Sequence, residues 1–321
     1  MIQRSLSVLL ALAISATGAL AQTYPSKPIR LVVGFAPGGA ADTVARAYAE
    51  PLSRALGQPV VIENRAGAGS SIAAEAVAHS AADGYTVLIA SPASISVNPA
   101  LNPQLGYKPS DLAPITKVSS SPLLIVVNPA AGIGTVKELI AAAKQSPGKL
   151  NYATSGVGSA PHFGAALFSQ VAGVQMVHVP FKGGSPAIVS VVSGDTQLSF
   201  ATPPSVLGMV KSGRLRALAV TNPERSPLMP EVPGMIEAGL PDFSIAFWYG
   251  IFVPAGTPPA IVKRLYEAIT TAAQQPEVKA ALAREGTEVA LSRSPEDFAA
   301  FLAEDAKLWI RLAKESGAKA D

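Results

Sequence analysis

Two glycine-rich loops, about half a chain apart, constrain this sequence more than anything else in it. The first is Phe35-Ala36-Pro37-Gly38-Gly39-Ala40-Ala41-Asp42, and the second is Thr154-Ser155-Gly156-Val157-Gly158-Ser159-Ala160-Pro161-His162. Each follows a short apolar run of strand character and leads into a run with helical spacing. A strand, a tight glycine turn and a helix start bring free backbone N–H groups to the positive end of a helix dipole, which is an anion-binding arrangement. One such loop in each half predicts two lobes with a small anion held between them. The plainer alternative is that both are ordinary strand-to-helix turns that need glycine for positive φ.

Apolar spacing fills in the rest. Ile29–Gly34, Val60–Glu63 and Thr86–Ala90 read as buried strands. Asp42–Leu56 reads as a helix with Val44, Ala45, Tyr48, Leu52 and Leu56 on its inner face, and Ile72–His79 as an Ala-rich helix. Pro51 is expected to kink or break the first of these. The alternation predicts a parallel sheet covered by helices on both faces. A second set of strands and helices begins at Leu123. Asn222–Gly239 carries four prolines and reads as an extended loop with a short helix. Ile245–Val253 is an aromatic-rich strand, and Pro258–Gln274, Pro276–Arg284 and Pro295–Glu315 are helices opened by proline. This helical tail returns the chain to its first unit. Residues 24–122 and 246–321 are therefore expected to form one lobe and 123–245 the other, with crossovers near Ser121 and Ile245. The fold class is α/β, two doubly wound domains joined by a hinge.

The first 21 residues have the pattern of a signal peptide: Arg4, an apolar stretch from Leu6 to Ile14 interrupted only by Ser7, and Ala19-Leu20-Ala21 as a cleavage site. The apolar stretch is short for a bilayer span. A periplasmic chain starting at Gln22 is expected, and since no Cys follows the site a lipoprotein anchor is not expected; the alternative is an uncleaved membrane anchor. The sequence has no cysteine and only His79, His162 and His178, which argues against disulfides and a structural zinc. No metal or cofactor is expected. A net charge of +3 without a basic run argues against nucleic acid as a partner. A monomer is expected.

In sequence order the chain carries Tyr24-Pro25-Ser26-Lys27-Pro28-Ile29, the first glycine loop through Asp42, Gly57-Gln58-Pro59-Val60-Val61-Ile62-Glu63-Asn64-Arg65 and Ala82-Asp83-Gly84-Tyr85-Thr86. The second glycine loop follows, then Val179-Pro180-Phe181-Lys182-Gly183-Gly184, Arg225-Ser226-Pro227, Glu237-Ala238-Gly239-Leu240-Pro241 and Pro254-Ala255-Gly256-Thr257-Pro258. With these the mature chain resembles the Bug-type periplasmic solute receptors, the substrate-binding components of tripartite tricarboxylate transporters. The resemblance implies a two-lobed Venus-flytrap receptor that closes on a small organic carboxylate and passes it to membrane permease subunits. It implies that one ligand carboxylate is pinned by Phe35, Ala36, Pro37, Gly38 and Gly39 from one lobe and by Thr154, Ser155, Gly156, Gly158 and Ser159 from the other. Two positions depart from the family pattern. Ala201-Thr202 replaces a frequent acidic or amide pair, and Phe181-Lys182 replaces a frequent Tyr-Arg; both are implied to line the distal pocket. Without an acidic side chain there, the ammonium of an amino-acid ligand lacks a partner.

Several side chains have two readings each. Asp42 caps or complements its helix, or stands in the cleft, or braces the loop. Ser159 gives its hydroxyl to a carboxylate or caps the helix. His162, at a helix start that disfavours imidazolium, is expected to be neutral, and either braces the loop or touches ligand. Ser91 and Ser94 follow a strand at its carboxyl end, where α/β folds place ligand contacts. Trp248, Tyr249 and Phe252 are expected to pack in the core near the hinge, with a ligand stack as the alternative. An enzyme finds little support. There is no Gly-x-Ser-x-Gly elbow and no triad or metal spacing, and Lys182-Gly183-Gly184-Ser185 lacks the upstream part of a phosphate loop. The alternatives that remain are an exported sensor partner, or a small hydrolase of the same fold without a transporter.

Intact-mass measurement of exported protein is expected to give a chain beginning at Gln22. Residues 1–21 retained on membrane-bound protein would contradict this.

Overall fold

The structure is a computed structural model that describes residues 24–315 apart from 36, 39, 103, 157–158 and 182–183. The expected signal peptide, and Ala36, Gly39 and Gly158 of the glycine loops, lie outside the described residues. Eleven strands and ten α-helices follow one another among the described residues. They are β1 (Ile29–Val33), α1 (Ala40–Leu56), β2 (Val60–Asn64), α2 (Ser71–Ala78), β3 (Thr86–Ala90), α3 (Asn98–Leu101), β4 (Leu112–Pro122) and β5 (Leu124–Val127). Next come α4 (Val136–Gln145), β6 (Asn151–Thr154), α5 (Ala160–Ala172), β7 (Val177–Pro180), α6 (Gly184–Ser193), β8 (Leu198–Ala201), α7 (Pro203–Lys211) and β9 (Arg216–Val220). The chain finishes with β10 (Ala246–Pro254), α8 (Pro259–Ala273), α9 (Pro276–Arg284), β11 (Glu288–Val289) and α10 (Pro295–Glu315).

These strands form two sheets, ordered β11-β4-β10-β3-β1-β2 and β7-β6-β8-β5-β9. Both are covered on both faces, and the sequence shows why. In β1, Leu31 and Val33 enter one core cluster and Val32 the opposite one. In β5, Ile125 and Val127 face one way and Leu124 and Val126 the other. Continuous apolar strands of this kind need a helical layer on each side. In the first unit α1, α8 and α9 supply one layer, and α2 with the start of α10 the other.

The sheets are mixed rather than parallel throughout. β1 pairs in parallel with β2 and β3, and β6 with β7 and β8. β10 runs antiparallel to β3 and β4, and β5 antiparallel to β8 and β9. The exceptions are β5 and β10, the strands that enter from the crossovers, and the short β11 at the edge of the first sheet. A chain arriving from the other unit enters its sheet from the cleft side, so it opposes strands that end there. Pattern reading also misses β4, whose Lys117 and repeated serines hide an 11-residue strand. Pro51 neither breaks nor ends α1, which continues to Leu56 with Pro51 buried against the core. Packing of the buried face holds the turn although one backbone donor is missing. The proline-rich segment from 222 to 239 forms turns without a helix.

β4 and β5 are separated only by Leu123, so one crossover is a strand passing almost straight from sheet to sheet. The return crossover joins Ile245 to β10. Thr221 ties the two together: its Oγ1 accepts from Leu123 N at 2.7 Å and donates to the Ile245 carbonyl at 2.6 Å. Its backbone bonds the same two residues, and the side chain is fully buried. A third link is α10, about 31 Å long at 1.5 Å per residue. Its Phe298 packs on the first sheet, whereas Trp309, Leu312 and Ala313 join the core of the second unit.

Thr221→Val keeps the shape but leaves a buried N–H and C=O without their shared partner. It is expected to lower stability by about 2 kcal/mol or more, measured by denaturant unfolding. Thr221→Ser, which keeps the hydroxyl, is expected to lose less.

Candidate functional site

A cavity of about 380 Å³ lies between the two sheets. The carboxyl ends of β1 and β3, the end of β4 and the start of β10 approach it from the first unit, through Phe35, Ala93, Ser121, Phe247 and Tyr249. The ends of β6 and β8 approach from the second, through Ser155, Ser159, Ala160, Pro161, Thr202 and Pro204. This is the crevice at strand ends where open α/β sheets bind ligands. Three helices start at the cavity, α1 at Ala40, α5 at Ala160 and α7 at Pro203. Their first N–H groups have no partner within the helix, and their dipoles turn a positive end inward. α7 opens with Pro203-Pro204 and so lacks two donors. α5 lacks one donor, at Pro161, so α1 is the entrance among the three without a proline in its first two positions. No charged side chain lines the cavity among the described residues.

Both glycine loops are held from behind. Gly38 and Gly156 have φ of +79° and +126°, backbone that side chains with a Cβ rarely adopt. Asp42 is buried behind the first loop. Its Oδ2 accepts from Gly38 N at 2.9 Å and from Arg46 Nε at 2.7 Å, and its Oδ1 from Asn64 Nδ2 at 2.9 Å. Asn64 Nδ2 also donates to the Phe35 carbonyl at 3.0 Å, so the loop is laced to the end of β2. Burial alone raises the Asp42 pKa, but the bonds from Arg46, Gly38 and Asn64 outweigh it and hold the carboxyl below its ordinary value. At the second loop Thr154 is buried, and its Oγ1 bonds both the carbonyl and the N–H of Gly156 at 3.2 Å. The same oxygen shares a 2.6 Å bond with His178 Nε2. Ser159 occupies the N-cap position of α5, yet its hydroxyl caps no helix N–H and donates instead to the Gly156 carbonyl at 2.7 Å.

Of the residues expected from sequence, Phe35, Ser155 and Ser159 line the cavity. Asp42, Thr154 and Gly156 stand behind it. Pro37 and Gly38 are exposed at its edge, with Gly38 lining a small adjoining hollow with Thr43 and Pro204. Ser91 and Ala201 are buried, and neither lines the cavity. Phe181 packs against the core of the second unit and donates its N–H to the Thr154 carbonyl. Trp248 and Phe252 are core residues, but Tyr249 and its neighbour Phe247 line the cavity. Strand alternation carries that signal: Phe247 and Tyr249 share one face of β10 and Trp248 takes the other. Burial raises the Tyr249 phenol above its ordinary value, so it stays protonated and able to donate.

His162 faces away from this cavity. With Tyr152, His178, Gln170, Gln175 and Glu315 it lines a second, open cavity of about 770 Å³ on the far side of the second unit. The His162 and His178 rings stack with centroids 4.1 Å apart, and Tyr152 stacks on His178 at 5.2 Å. Burial first, and then the charge of His178, push the His162 pKa down to about 4. Burial lowers that of His178 too. The neutral imidazole expected from sequence follows, with burial as its main cause. Among the described residues no group of three or more His, Cys, Asp or Glu could hold a metal ion, and no helix is long and apolar enough to cross a membrane.

The family described as tripartite tricarboxylate transporter family receptor matches residues 44–318. The chain is 39% identical to Protein BugT of Bordetella pertussis over 301 residues, 93% of this chain and 92% of that protein. A solved R. palustris protein with adipate is similar with a TM-score of 0.81 and 33% identity, over 92% of this chain and 99% of the other. MatC from Rhodopseudomonas palustris with bound malate is similar with a TM-score of 0.76 and 32% identity, over 90% and 99%.

The depressed His162 pKa makes stability depend on pH. Between the unfolded value of 6.5 and the folded value of about 4, the unfolded chain holds a proton that the folded one does not. The stabilising contribution is present above pH 6.5 and is lost as pH falls toward 4, to a total of up to about 3 kcal/mol. Urea unfolding across this range should show the decline, and His162→Gln should flatten it.

Proposed function

This chain belongs to the tripartite tricarboxylate transporter receptor family, and on that premise we propose that it captures a small organic carboxylate in the cleft between its two sheets and hands it to the permease subunits of such a transporter. The family is one of solute-binding receptors, and its relatives include proteins solved with adipate and with malate. The observation that carries the carboxylate reading is the junction of two helix entrances, α1 and α5, on a cavity whose described lining has no charged side chain. Dipoles and N–H groups there favour an anion without a cation beside it. Charge-assisted bonds of this type contribute about 1.5–3 kcal/mol each.

In this reading Phe35, Ser155 and Ser159 meet the ligand. Asp42, Thr154 and Gly156 hold the loops in shape. Ala36, Pro37, Gly38, Gly39 and Gly158 complete the loops around the carboxylate. The lobes divide as 24–122 with 246–321 and 123–245, and they close about the Thr221 tie, with α10 spanning both. The protein acts in the periplasm after loss of residues 1–21, and it binds its ligand without turning it over.

Ligand released by denaturing gently purified protein is expected to be a small carboxylic acid by mass spectrometry. Calorimetry should show one-to-one rebinding, and at least tenfold weaker binding of its amide or methyl ester. Equal affinity for the amide would sink the carboxylate reading, and consumption of the ligand would favour the hydrolase alternative.

A further inference from the structure

Part of the cavity wall is aromatic, formed by Phe35, Phe247 and Tyr249. Tyr249 meets Phe35 edge-on, with ring centroids 6.4 Å apart at 81°, and meets Phe247 edge-on at 5.4 Å and 78°. Val44, Ala93, Pro161 and Pro204 continue the apolar surface. The three rings thus make a right-angled corner, a geometry that receives a further ring by stacking on one face and edge contact with another.

The polar groups on this lining are few, and most are committed. The Ser159 hydroxyl donates to the Gly156 carbonyl and the Ser121 hydroxyl to the Pro122 carbonyl. Thr202 donates to Ser205 Oγ, and Thr287 leans on the Glu285 carbonyl at 3.5 Å. Ser155 and Tyr249 are left, and among the described residues neither side chain has a hydrogen-bond partner. Ser155 belongs to the second glycine loop, so it serves the carboxylate at the helix entrances. Among the described lining side chains Tyr249 then remains for the body of the ligand, and one hydroxyl suits a neutral substituent. Among the described lining residues there is no cation and no set of donors for a second carboxylate, which would be buried there at a strongly unfavourable cost.

We propose that the ligand is an aromatic monocarboxylate, its carboxylate at the α1 and α5 entrances and its ring in the corner of Phe35, Phe247 and Tyr249. This rests on the carboxylate reading above and narrows it. It separates this chain from the two relatives solved with the dicarboxylates adipate and malate. The cavity volume leaves room for one ring with substituents.

Calorimetry on the mature protein, stripped of endogenous ligand, tests this with benzoate, phenylacetate, hexanoate, adipate, malate and benzamide. One of the two aryl acids is expected to bind at least tenfold more tightly than adipate, malate or hexanoate, with benzamide weaker still. Tightest binding of adipate or malate would overturn the inference while leaving the carboxylate reading standing. Hexanoate equal to the aryl acids would overturn the aromatic assignment, as would failure of every probe to bind. Benzamide equal to benzoate would instead remove the carboxylate reading itself. Phe247→Leu and Tyr249→Leu keep apolar bulk and remove a ring, and each is expected to weaken the better aryl acid at least fivefold. Thermal unfolding checks that they fold, and the ranking of probes on the unmodified protein decides the matter if they do not. Undiminished affinity in both folded variants would count against the aromatic corner.

Discussion

The buried hydroxyl of Thr221 is the point on which the two-lobed arrangement turns. It lies just after β9 and bonds Leu123 on the outgoing crossover and Ile245 on the returning one. Two strands that would otherwise pass independently between the sheets are thereby held side by side. Their separation fixes where β5 and β10 enter their sheets, and so how the strand ends face each other. A hydrogen-bonded pair of crossing strands can bend while resisting shear, a mechanical requirement for lobes that close on a ligand. The α10 helix adds a second constraint, because its two ends are buried in the cores of different units.

The cleft that results turns helix entrances inward, and its described lining presents no charged side chain. A lysine or arginine would bind a carboxylate more strongly, but it would also be hydrated and carry a flexible side chain into the cavity. Helix entrances offer fixed donors whose cost of orientation is met by folding. The two prolines that open α7 make the arrangement asymmetric, since they remove donors on one side of the cavity. In the proposed binding mode the carboxylate sits at α1 and α5 and the ring on the aromatic wall.

Rigidity of the glycine loops comes from residues outside the cavity. Asp42 and Asn64 lace the first loop to β2, and the Thr154–His178 bond fastens the second to β7. The Asp42 carboxylate is occupied by three donors, so it offers little repulsion to an anion in front of it. His178 in turn stacks between Tyr152 and His162, which places a pair of neutral imidazoles behind the second glycine loop. Their neutrality keeps the stack intact, because two imidazolium rings at that distance would repel.

The sequence by itself determined the α/β class, two units with a glycine loop in each, and most elements, since apolar periodicity and glycine or proline punctuation are local signals. It also marked Phe35, Ser155 and Ser159, which lie on loops at strand ends that any α/β fold directs toward its ligand. Strand direction on the crossovers, the β4 strand and the continuity of α1 through Pro51 were not legible, because they depend on partners far along the chain. The same is true of the side chains. Asp42 and His162 read equally well as cleft or bracing residues until packing turned them away from the cavity. Tyr249 read as core beside Trp248 until the sheet put alternate faces of β10 in different surroundings. Local pattern specifies which elements form; which face of an element meets water, core or ligand is decided by what packs against it, and only the tertiary structure supplies that.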